Sequence, residues 1–232
     1  MCFRLTCTVR KKLISLGKSL SPFVVGTEGN ISGRTTEGFT IKASGYSMSD
    51  LRDRLVTCDV DYCADDEGVR CPLASLKPSM ETDFHAWIYN NSDTNVIAHT
   101  HPVNVLKILC VLELPELFAC KRLFPDQVVF NGVESCVVPY ATPGKELTKA
   151  IAIAARKYEA QHGNFPKVFL LRNHGIICCA NTCKEALIMT EICEKAAEIF
   201  IGALPHGIVT LTPSAIDALQ INKDEKYRKE LL

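Results

Sequence analysis

The sequence lacks the features that mark several large classes of protein. It has no run of about 18 apolar residues, which a membrane-spanning helix would need. Neither GxGxxG nor GxxxxGK[ST] occurs, so no nucleotide-binding motif supports a nucleotide site. Lysine plus arginine and aspartate plus glutamate both number 26, and a zero net charge disfavours a general nucleic-acid-binding protein. We therefore expect neither a membrane nor a nucleic acid as a partner.

The chain also lacks repeats, low-complexity tracts and a Pro/Gly/Ser-rich linker that would divide it. Its 232 residues are 47% hydrophobic and 22% charged, a composition typical of globular proteins. This length fits one large domain with an extensive core. We expect a single domain over residues 1–232, with a polar tail from about residue 213.

The 12 cysteines do not indicate a disulfide scaffold, because they are scattered along a long chain. Those in apolar runs include Cys110, Cys178, Cys179 and Cys193. Cys58, Cys63 and Cys71 follow C-x4-C and C-x7-C spacings without a fourth partner, unlike structural zinc sites. The N-terminus has no apolar signal-peptide core, so we predict a reduced cytoplasmic protein. The first 27 residues are basic and lack acids, which leaves an organellar presequence open.

Hydrophobic periodicity predicts interspersed helices and strands. The predicted helices span 4–20, 103–112, 145–162 and 185–204, and another opens after Pro78 with Ser79 as its N-cap. The predicted strands span 39–43, 55–60, 96–101, 128–140, 168–171 and 176–179, after a turn-rich loop at 25–34. Because the order is not a strict βαβ alternation, we expect a central, mostly antiparallel sheet flanked by helices.

The strongest chemical signal is His99-Thr100-His101 at the end of a predicted strand. Side chains two residues apart on a strand share a face, so the two imidazoles project in parallel. Two nitrogen donors on one rigid element suit a divalent metal such as zinc. His174, in a turn between two apolar strands, is a candidate third ligand. Solvated or hydrogen-bonded histidines are the alternative interpretation of each.

Glu81 is the candidate carboxylate, because the predicted helix start places it in a first turn that favours negative charge. The alternative is a residue that only stabilises this helix. His85, four residues on, could form a second ligand pair with Glu81, although its apolar surroundings favour a structural role. His162 and His206 have no motif context and are interpreted as surface residues.

Three short polar segments could together bind a small anion. They contain Gly29 and Gly45, whose backbone amides can approach an anion closely, and a predicted helix start at Ser79. The candidate segments are 27–30 (TEGN), 43–45 (ASG) and Ser79. No single segment is specific for a particular anion.

In this order, the segments resemble the class II aldolase/adducin family. The matching pieces are 26–34 (GTEGNISGR), 42–45 (KASG), 78–82 (PSMET), 99–102 (HTHP), 138–144 (VPYATPG) and 173–175 (NHG). The resemblance as a whole extends over about residues 5–204, and the combination of these pieces is far more specific than any one of them. The likeness is greatest to sugar-phosphate aldolases of the L-fuculose-1-phosphate type.

This resemblance implies a three-layer α/β/α fold, a homotetramer and a Zn²⁺ ion near a subunit interface. It assigns His99, His101 and His174 as zinc ligands, and Glu81 as the catalytic acid/base that can also ligate the metal. The phosphate-binding positions that it assigns are Thr27, Asn30, Ser44, Gly45 and Ser79. The implied reaction cleaves a ketose 1-phosphate to dihydroxyacetone phosphate and a short aldehyde through a metal-stabilised enediolate.

Two departures from the family pattern concern substrate contacts. Met80 stands where some members have a second serine, and residues 116–120 (ELFAC) lack the tyrosine that fuculose aldolases place there. Tyr227 is a possible substitute for this tyrosine.

Three alternatives stay open. One is an L-ribulose-5-phosphate 4-epimerase, whose family members tend to have aspartate where Glu81 stands. The others are a non-catalytic adducin-like interaction module and an iron oxygenase with open coordination positions, although three histidines favour zinc over iron.

Overall fold

A seven-stranded mixed sheet forms the middle layer of the computed structural model, which describes residues 2–36, 38–52, 54–59 and 76–231. The strands are β1 (Asn30–Thr35), β2 (Gly38–Lys42), β3 (Leu55–Asp59), β4 (Val96–Thr100), β5 (Cys136–Val138), β6 (Val168–Leu171) and β7 (Gly175–Ala180). Their order in the sheet is β3-β2-β1-β4-β7-β6-β5. Every neighbouring pair is antiparallel except β5 with β6, so the predicted mostly antiparallel sheet is confirmed.

Helices cover both faces of this sheet. They are α1 (Cys2–Leu20), α2 (Thr82–Asn91), α3 (Val103–Leu109), α4 (Leu114–Cys120), α5 (Pro125–Asn131), α6 (Lys145–His162), α7 (Cys183–Ala203), α8 (Pro213–Ile221) and α9 (Lys223–Glu230). The core under α1, α3, α4, α5 and α7 is separate from the core under α2 and α6. The three-layer α/β/α fold is therefore confirmed.

The central strand β4 shows why both faces are covered. All five of its residues are buried, with Val96 and Ala98 in one core and Ile97 in the other. A strand without a polar face needs apolar partners on both sides of the sheet. His99 follows the parity of Ile97 and faces the α2 side, where its ring meets Phe84 edge-on.

The prediction of a strand over 128–140 is wrong for its first part. Residues Pro125–Asn131 form α5, and only Cys136–Val138 form a strand. The adjacent valines favour a strand, but Pro125 at the first helical position starts a helix, and the Gln127 side chain accepts a hydrogen bond from the Leu123 backbone. Packing of α5 against α7 and α8 decides the outcome.

Two further segments differ from the predictions. The helix after Pro78 begins at Thr82, with Glu81 at its N-cap, because the Ser79 carbonyl closes a turn onto the Thr82 amide. Ser79 is therefore not the N-cap, and Glu81 precedes the first turn. The loop predicted over 25–34 becomes strand β1 from Asn30 onward, since this segment pairs with β2 and β4.

The remaining differences lie at element ends and in the tail. The helix predicted over 103–112 ends at Leu109, α4 follows it, and the polar tail forms α8 and α9. The strand predicted over 55–60 is found at Leu55–Asp59, and residue 60 lies outside the described residues, as do Cys63 and Cys71.

Four of the cysteines named above are buried, as expected for small hydrophobic side chains. Cys58 lies on β3, Cys178 and Cys179 lie on β7, and Cys193 lies on α7 facing the sheet core. Cys110, in contrast, is exposed at the end of α3. No helix within the described part of the chain is both long and apolar enough to cross a membrane.

Arg122 holds together residues 119–135, the segment that contains α5 and that the sequence patterns predicted least well. Its side chain is 1% exposed, and Nε donates to the Gly132 carbonyl at 2.6 Å. Nη1 donates to the Ala119 and Lys121 carbonyls at 3.0 Å, and Nη2 donates to Ser135 Oγ at 3.1 Å. Burial lowers the pKa of this guanidinium to about 10. One cation thus closes the loop between α4 and β5.

We expect Arg122→Met to destabilise the fold by about 3 kcal/mol, because it strands buried carbonyl groups without a donor. The measurement is the thermal unfolding midpoint by calorimetry. Arg156→Met, at an exposed site on α6, is the matched control and should change stability by less than about 0.5 kcal/mol. Equal midpoints for the two variants would contradict this role for Arg122.

Candidate functional site

Three histidines from two separate parts of the chain meet at one end of the sheet. His99 is the penultimate residue of β4 and pairs with Ile177 of β7, and His101 follows the end of β4. His174 lies in the turn between β6 and β7. The ring centroids of His99 and His101 are 4.8 Å apart, those of His99 and His174 are 4.8 Å apart, and those of His101 and His174 are 5.2 Å apart. One nitrogen from each ring lies within 4.8 Å of the others.

The turn that bears His174 depends on its two neighbours. Asn173 adopts a left-handed conformation with φ of 54°, which asparagine tolerates better than most residues. A Cβ atom at Gly175 would lie 2.5 Å from the Thr100 carbonyl oxygen and 2.6 Å from Cδ2 of His101. Only glycine lets this turn approach the end of β4 so closely.

Glu81 completes the group and is only 8% exposed. Its Oε2 lies 3.1 Å from His99 Nε2, and its Oε1 lies 3.2 Å from His174 Nε2. Asn30 Nδ2 donates to Oε2 at 2.8 Å, whereas Oε1 is buried without a hydrogen-bond partner. Burial opposes ionisation, but the imidazoles of His99 and His174 and the Asn30 amide outweigh it and hold the pKa of Glu81 well below its ordinary value. The carboxylate is therefore ionised.

Two of the three histidines are in the neutral form that binds a metal, and the third, His99, is paired with Glu81. His99 Nδ1 lies 2.8 Å from the Ile176 carbonyl, which can only accept, so Nε2 is the atom that faces the site. Burial disfavours the charged ring of His99, but Glu81 outweighs it and raises its pKa. Burial and the nearby His99 lower the pKa of His101 to about 3 and that of His174 to about 4. These two rings are neutral and offer lone pairs.

The donor set fits a divalent cation. Nε2 of His101 and Nε2 of His99 face each other at 3.1 Å, and Oε1 of Glu81, which makes no hydrogen bond, lies 3.2 Å from His174 Nε2. Three imidazole nitrogens with an open position are typical of catalytic zinc sites. The hydrogen bond from His99 Nδ1 to a backbone carbonyl is the kind of support that orients a metal-ligating histidine.

The predicted anion-binding residues lie beside this group. Asn30 Nδ2 donates to Ser79 Oγ at 3.1 Å as well as to Glu81. The segments around Ser44 and Ser79 run side by side, because the Ser44 amide donates to Lys77 and the Ser79 amide donates to the Lys42 carbonyl. Gly45 adopts a positive φ of 79° in the turn that follows.

Lys42 is a residue of this region for which no sequence motif indicates a role. Its Nζ donates to the Thr27 carbonyl at 3.0 Å and to the Tyr46 carbonyl at 2.6 Å, which ties the Thr27 loop to the Gly45 turn. Burial lowers its pKa to about 8, although Glu81 opposes this shift. A lysine within the apolar run of β2, whose residues are all buried, was the available signal.

Other candidate residues lie outside the histidine group. His85 is fully buried, stacks on Phe84 and hydrogen-bonds with Asn30 and Ser32, so it forms no ligand pair with Glu81. His162 is not a free surface residue, since Nε2 lies 3.6 Å from Glu134.

The two remaining candidates are exposed. His206 lies in the short 3-10 helix after α7, and Tyr227 lies on α9 with 64% of its surface accessible. The neighbouring Arg228 and Lys229 tie α9 to Asp126 and Glu185 rather than to the histidines.

Comparisons with known proteins agree with this geometry. The model of the family "Class II Aldolase and Adducin N-terminal domain" matches residues 15–201. A 5-deoxy-D-ribulose 1-phosphate aldolase of Bacillus thuringiensis serovar kurstaki is 31% identical over 88% of this chain and 89% of its own. A 3-oxo-tetronate 4-phosphate decarboxylase of Haemophilus influenzae is 27% identical, with 91% and 95% covered.

Solved structures share the fold. An L-fuculose 1-phosphate aldolase superposes with a TM-score of 0.74 at 24% identity, covering 95% of this chain and 96% of its own. YgbL of Escherichia coli, described as a putative aldolase/epimerase/decarboxylase, gives 0.74 at 22% identity, with 92% and 98% covered. The family match over most of the chain is decisive, and the protein belongs to the class II aldolase and adducin N-terminal domain family.

Proposed function

We propose that this protein is a zinc-dependent lyase that cleaves a ketose 1-phosphate to dihydroxyacetone phosphate and a short aldehyde. The observation that carries the proposal is the ionised Glu81 carboxylate, held 3.1 to 3.2 Å from two of three converging imidazoles. Family membership supports lyase chemistry, and relatives named as aldolases of 5-deoxyribulose 1-phosphate and L-fuculose phosphate support the substrate class.

His99, His101 and His174 would hold the metal, and Glu81 could ligate it before substrate binds. When bound, a zinc ion supplies Lewis-acid polarisation of the carbonyl and hydroxyl oxygens of the ketose. The near-complete burial of His99 and Glu81 excludes bulk water from this side of the site. Electrostatic interactions there are stronger than in water.

Glu81 would move the proton that the reaction requires. In the cleavage direction the ionised Glu81 would accept the proton of the C4 hydroxyl through a water molecule, the C3–C4 bond would break, and its electron pair would pass to the C2 carbonyl oxygen. Glu81 would then deliver its proton to C3, and it would remove the same proton in the reverse direction. Its buried Oε1 has no hydrogen-bond donor in the structure and is free for this role.

The phosphate would lie among Thr27, Asn30, Ser44, Gly45 and Ser79. Amide and hydroxyl donors on loops tied together by Lys42 are a suitable environment for an anion. Binding energy from the phosphate would then orient the reacting carbons against Glu81.

A decarboxylase is the second candidate, because two relatives carry the name 3-oxo-tetronate 4-phosphate decarboxylase. They come from Haemophilus influenzae at 27% identity and from Pectobacterium atrosepticum at 29% identity. The ketone oxygen accepts the electron pair in both reactions, because in each the carbon next to the ketone loses a substituent. The leaving carbon is a carboxylate in one reaction and an aldehyde in the other.

We also propose that the protein forms a homotetramer with the site near an interface between subunits. Large apolar side chains next to site residues in the sequence are exposed, which supports a contact there. Val25, Met80 and Val103 are 74%, 68% and 61% exposed. Each lies within two residues of Thr27, Glu81 or His101.

A substrate screen tests the reaction class. We expect the zinc-loaded protein to release dihydroxyacetone phosphate from one of the 1-phosphates of fuculose, rhamnulose or 5-deoxyribulose, as detected by a coupled reduction assay. Carbon dioxide from 3-oxo-tetronate 4-phosphate would instead favour the decarboxylase, and interconversion of ribulose and xylulose 5-phosphates would favour the epimerase. Inactivity on all of these substrates would support the adducin-like module.

Metal content tests the ligand assignment. The wild-type protein should hold about one zinc per chain, and His101→Ala should lose most of it, because one of three nitrogen ligands is removed. Elemental analysis after gel filtration provides the measurement. His206→Ala, at an exposed histidine, is the matched control and should keep its zinc. Full zinc retention in His101→Ala would refute the assigned site.

Glu81→Gln tests the proton transfer. This variant should keep its metal, because the three imidazoles remain, but lose about 10²- to 10⁴-fold in turnover. The decisive measurement is exchange of the C3 proton of dihydroxyacetone phosphate into D₂O, followed by NMR. Glu146→Gln, on the exposed start of α6, serves as the control. Exchange at the wild-type rate in Glu81→Gln would remove Glu81 from the mechanism.

A further inference from the structure

A chain of hydrogen bonds runs from Glu81 into the core under α2. Glu81 Oε2 contacts Asn30 Nδ2 at 2.8 Å, and Asn30 Oδ1 contacts His85 Nε2. His85 Nδ1 lies 2.7 Å from Ser32 Oγ, which in turn lies 2.7 Å from the Tyr89 hydroxyl. All four residues beyond Glu81 are buried, with His85 and Ser32 at 0% exposure.

The chemistry of the groups fixes the direction of every bond in this chain. A carboxylate can only accept, so the Asn30 amide must turn its NH₂ group toward Glu81 and its oxygen toward His85. That oxygen also only accepts, so His85 Nε2 must carry a hydrogen. The second hydrogen of the Asn30 NH₂ group is taken by Ser79 Oγ at 3.1 Å, so both of its hydrogens are used.

The direction continues to Tyr89. Burial, aided by the nearby His99, lowers the pKa of His85 to about 3, so its ring is neutral and Nδ1 bears a lone pair. Ser32 must therefore donate its one hydroxyl hydrogen to Nδ1. Ser32 Oγ then accepts from the Tyr89 hydroxyl. Donation runs in one direction from Tyr89 through Ser32, His85 and Asn30 to the carboxylate.

We propose that His85 and Ser32 are positioning residues that lock the Asn30 amide so that Glu81 keeps Oε2 bound and Oε1 free as the base oxygen. This inference rests on the proposed function of Glu81. If His85 presented a lone pair at Nε2, the amide would favour the opposite orientation and turn its oxygen toward the carboxylate. Two acceptors would then face each other in a buried site, and Glu81 would lose its fixed orientation.

The proposal deepens the assignment of Asn30. Both hydrogens of its NH₂ group are used by Glu81 and Ser79, so Asn30 would act on the phosphate through Ser79, and the same orientation serves Glu81. Ser79 Oγ accepts from both the Asn30 NH₂ group and the Glu81 amide, at 3.1 and 3.3 Å. Its own hydroxyl hydrogen is thereby left to point elsewhere, which suits a phosphate donor.

The first test reads the tautomer of His85 in the wild-type protein and does not depend on activity. We expect ¹⁵N–¹H spectra of ¹⁵N-histidine-labelled protein to show His85 protonated on Nε2 and not on Nδ1, with its signals assigned by their loss in His85→Gln. Protonation on Nδ1 alone would overturn the proposal. This result stands even if the protein cleaves no sugar phosphate, so the two proposals can fail separately.

The second test compares two variants that each remove one buried hydroxyl. Ser32→Ala removes the donor to His85 Nδ1, frees the ring to change tautomer, and should slow C3 proton exchange of saturating dihydroxyacetone phosphate about 10- to 100-fold, with metal content unchanged. Tyr89→Phe is the matched control, because it leaves every bond from Ser32 to Glu81 intact. It should stay within about 3-fold of the wild type.

A third test, with two variants of His85, separates positioning from simple loss of stability. His85→Gln keeps an NH donor for the Asn30 oxygen, whereas His85→Phe keeps the ring shape without a donor. We expect His85→Gln to retain at least tenfold faster exchange than His85→Phe, and calorimetry monitors the folding of both. Should Ser32→Ala exchange as fast as Tyr89→Phe, or His85→Phe as fast as His85→Gln, the positioning role would be refuted.

Discussion

The pairing of β4 with β1 on one side and β7 on the other is the constraint on which the site depends. It sets Asn30 opposite His99 and brings the His174 turn against the end of β4. Each partner sits in a sheet whose two faces are covered, so a slip in register would cost both cores at once. The chemistry of the site is therefore positioned by the centre of the sheet, against which the His174 turn and the start of α2 are held.

The residues of the site could be identified from the sequence more readily than the strand pairing that brings them together. His99 and His101 share a strand face by simple alternation, and the long amphipathic helix over 145–162 is found at Lys145–His162. His174 could be proposed as a ligand from its turn, but its proximity follows from the pairing of β7 with β4. That pairing is a long-range interaction that local patterns do not encode.

The parts that sequence patterns missed share a physical cause. The strand predicted over 128–140 fails because tertiary packing and a proline start outweigh the β-propensity of Val128 and Val129. The Ser79 cap fails because its backbone is engaged by Lys42. Lys42 itself was overlooked, since a lysine in an apolar strand has no motif, and its partners are backbone carbonyls from distant loops.

The buried thiols of β7 could in principle compete with the histidines for a metal. Cys178 pairs in register with Ala98, one residue from His99, and burial raises the pKa of its thiol to about 12. Burial raises the pKa of the Cys179 thiol as well. Zinc prefers thiolates, but a protonated thiol enclosed in hydrocarbon is neither a competing ligand nor a target for peroxide or alkylating agents. The sulfur atoms of Cys178 and Cys179 are therefore unreactive and do not bind the metal. Oxidative damage to this protein would be directed first to exposed sulfur such as that of Cys110.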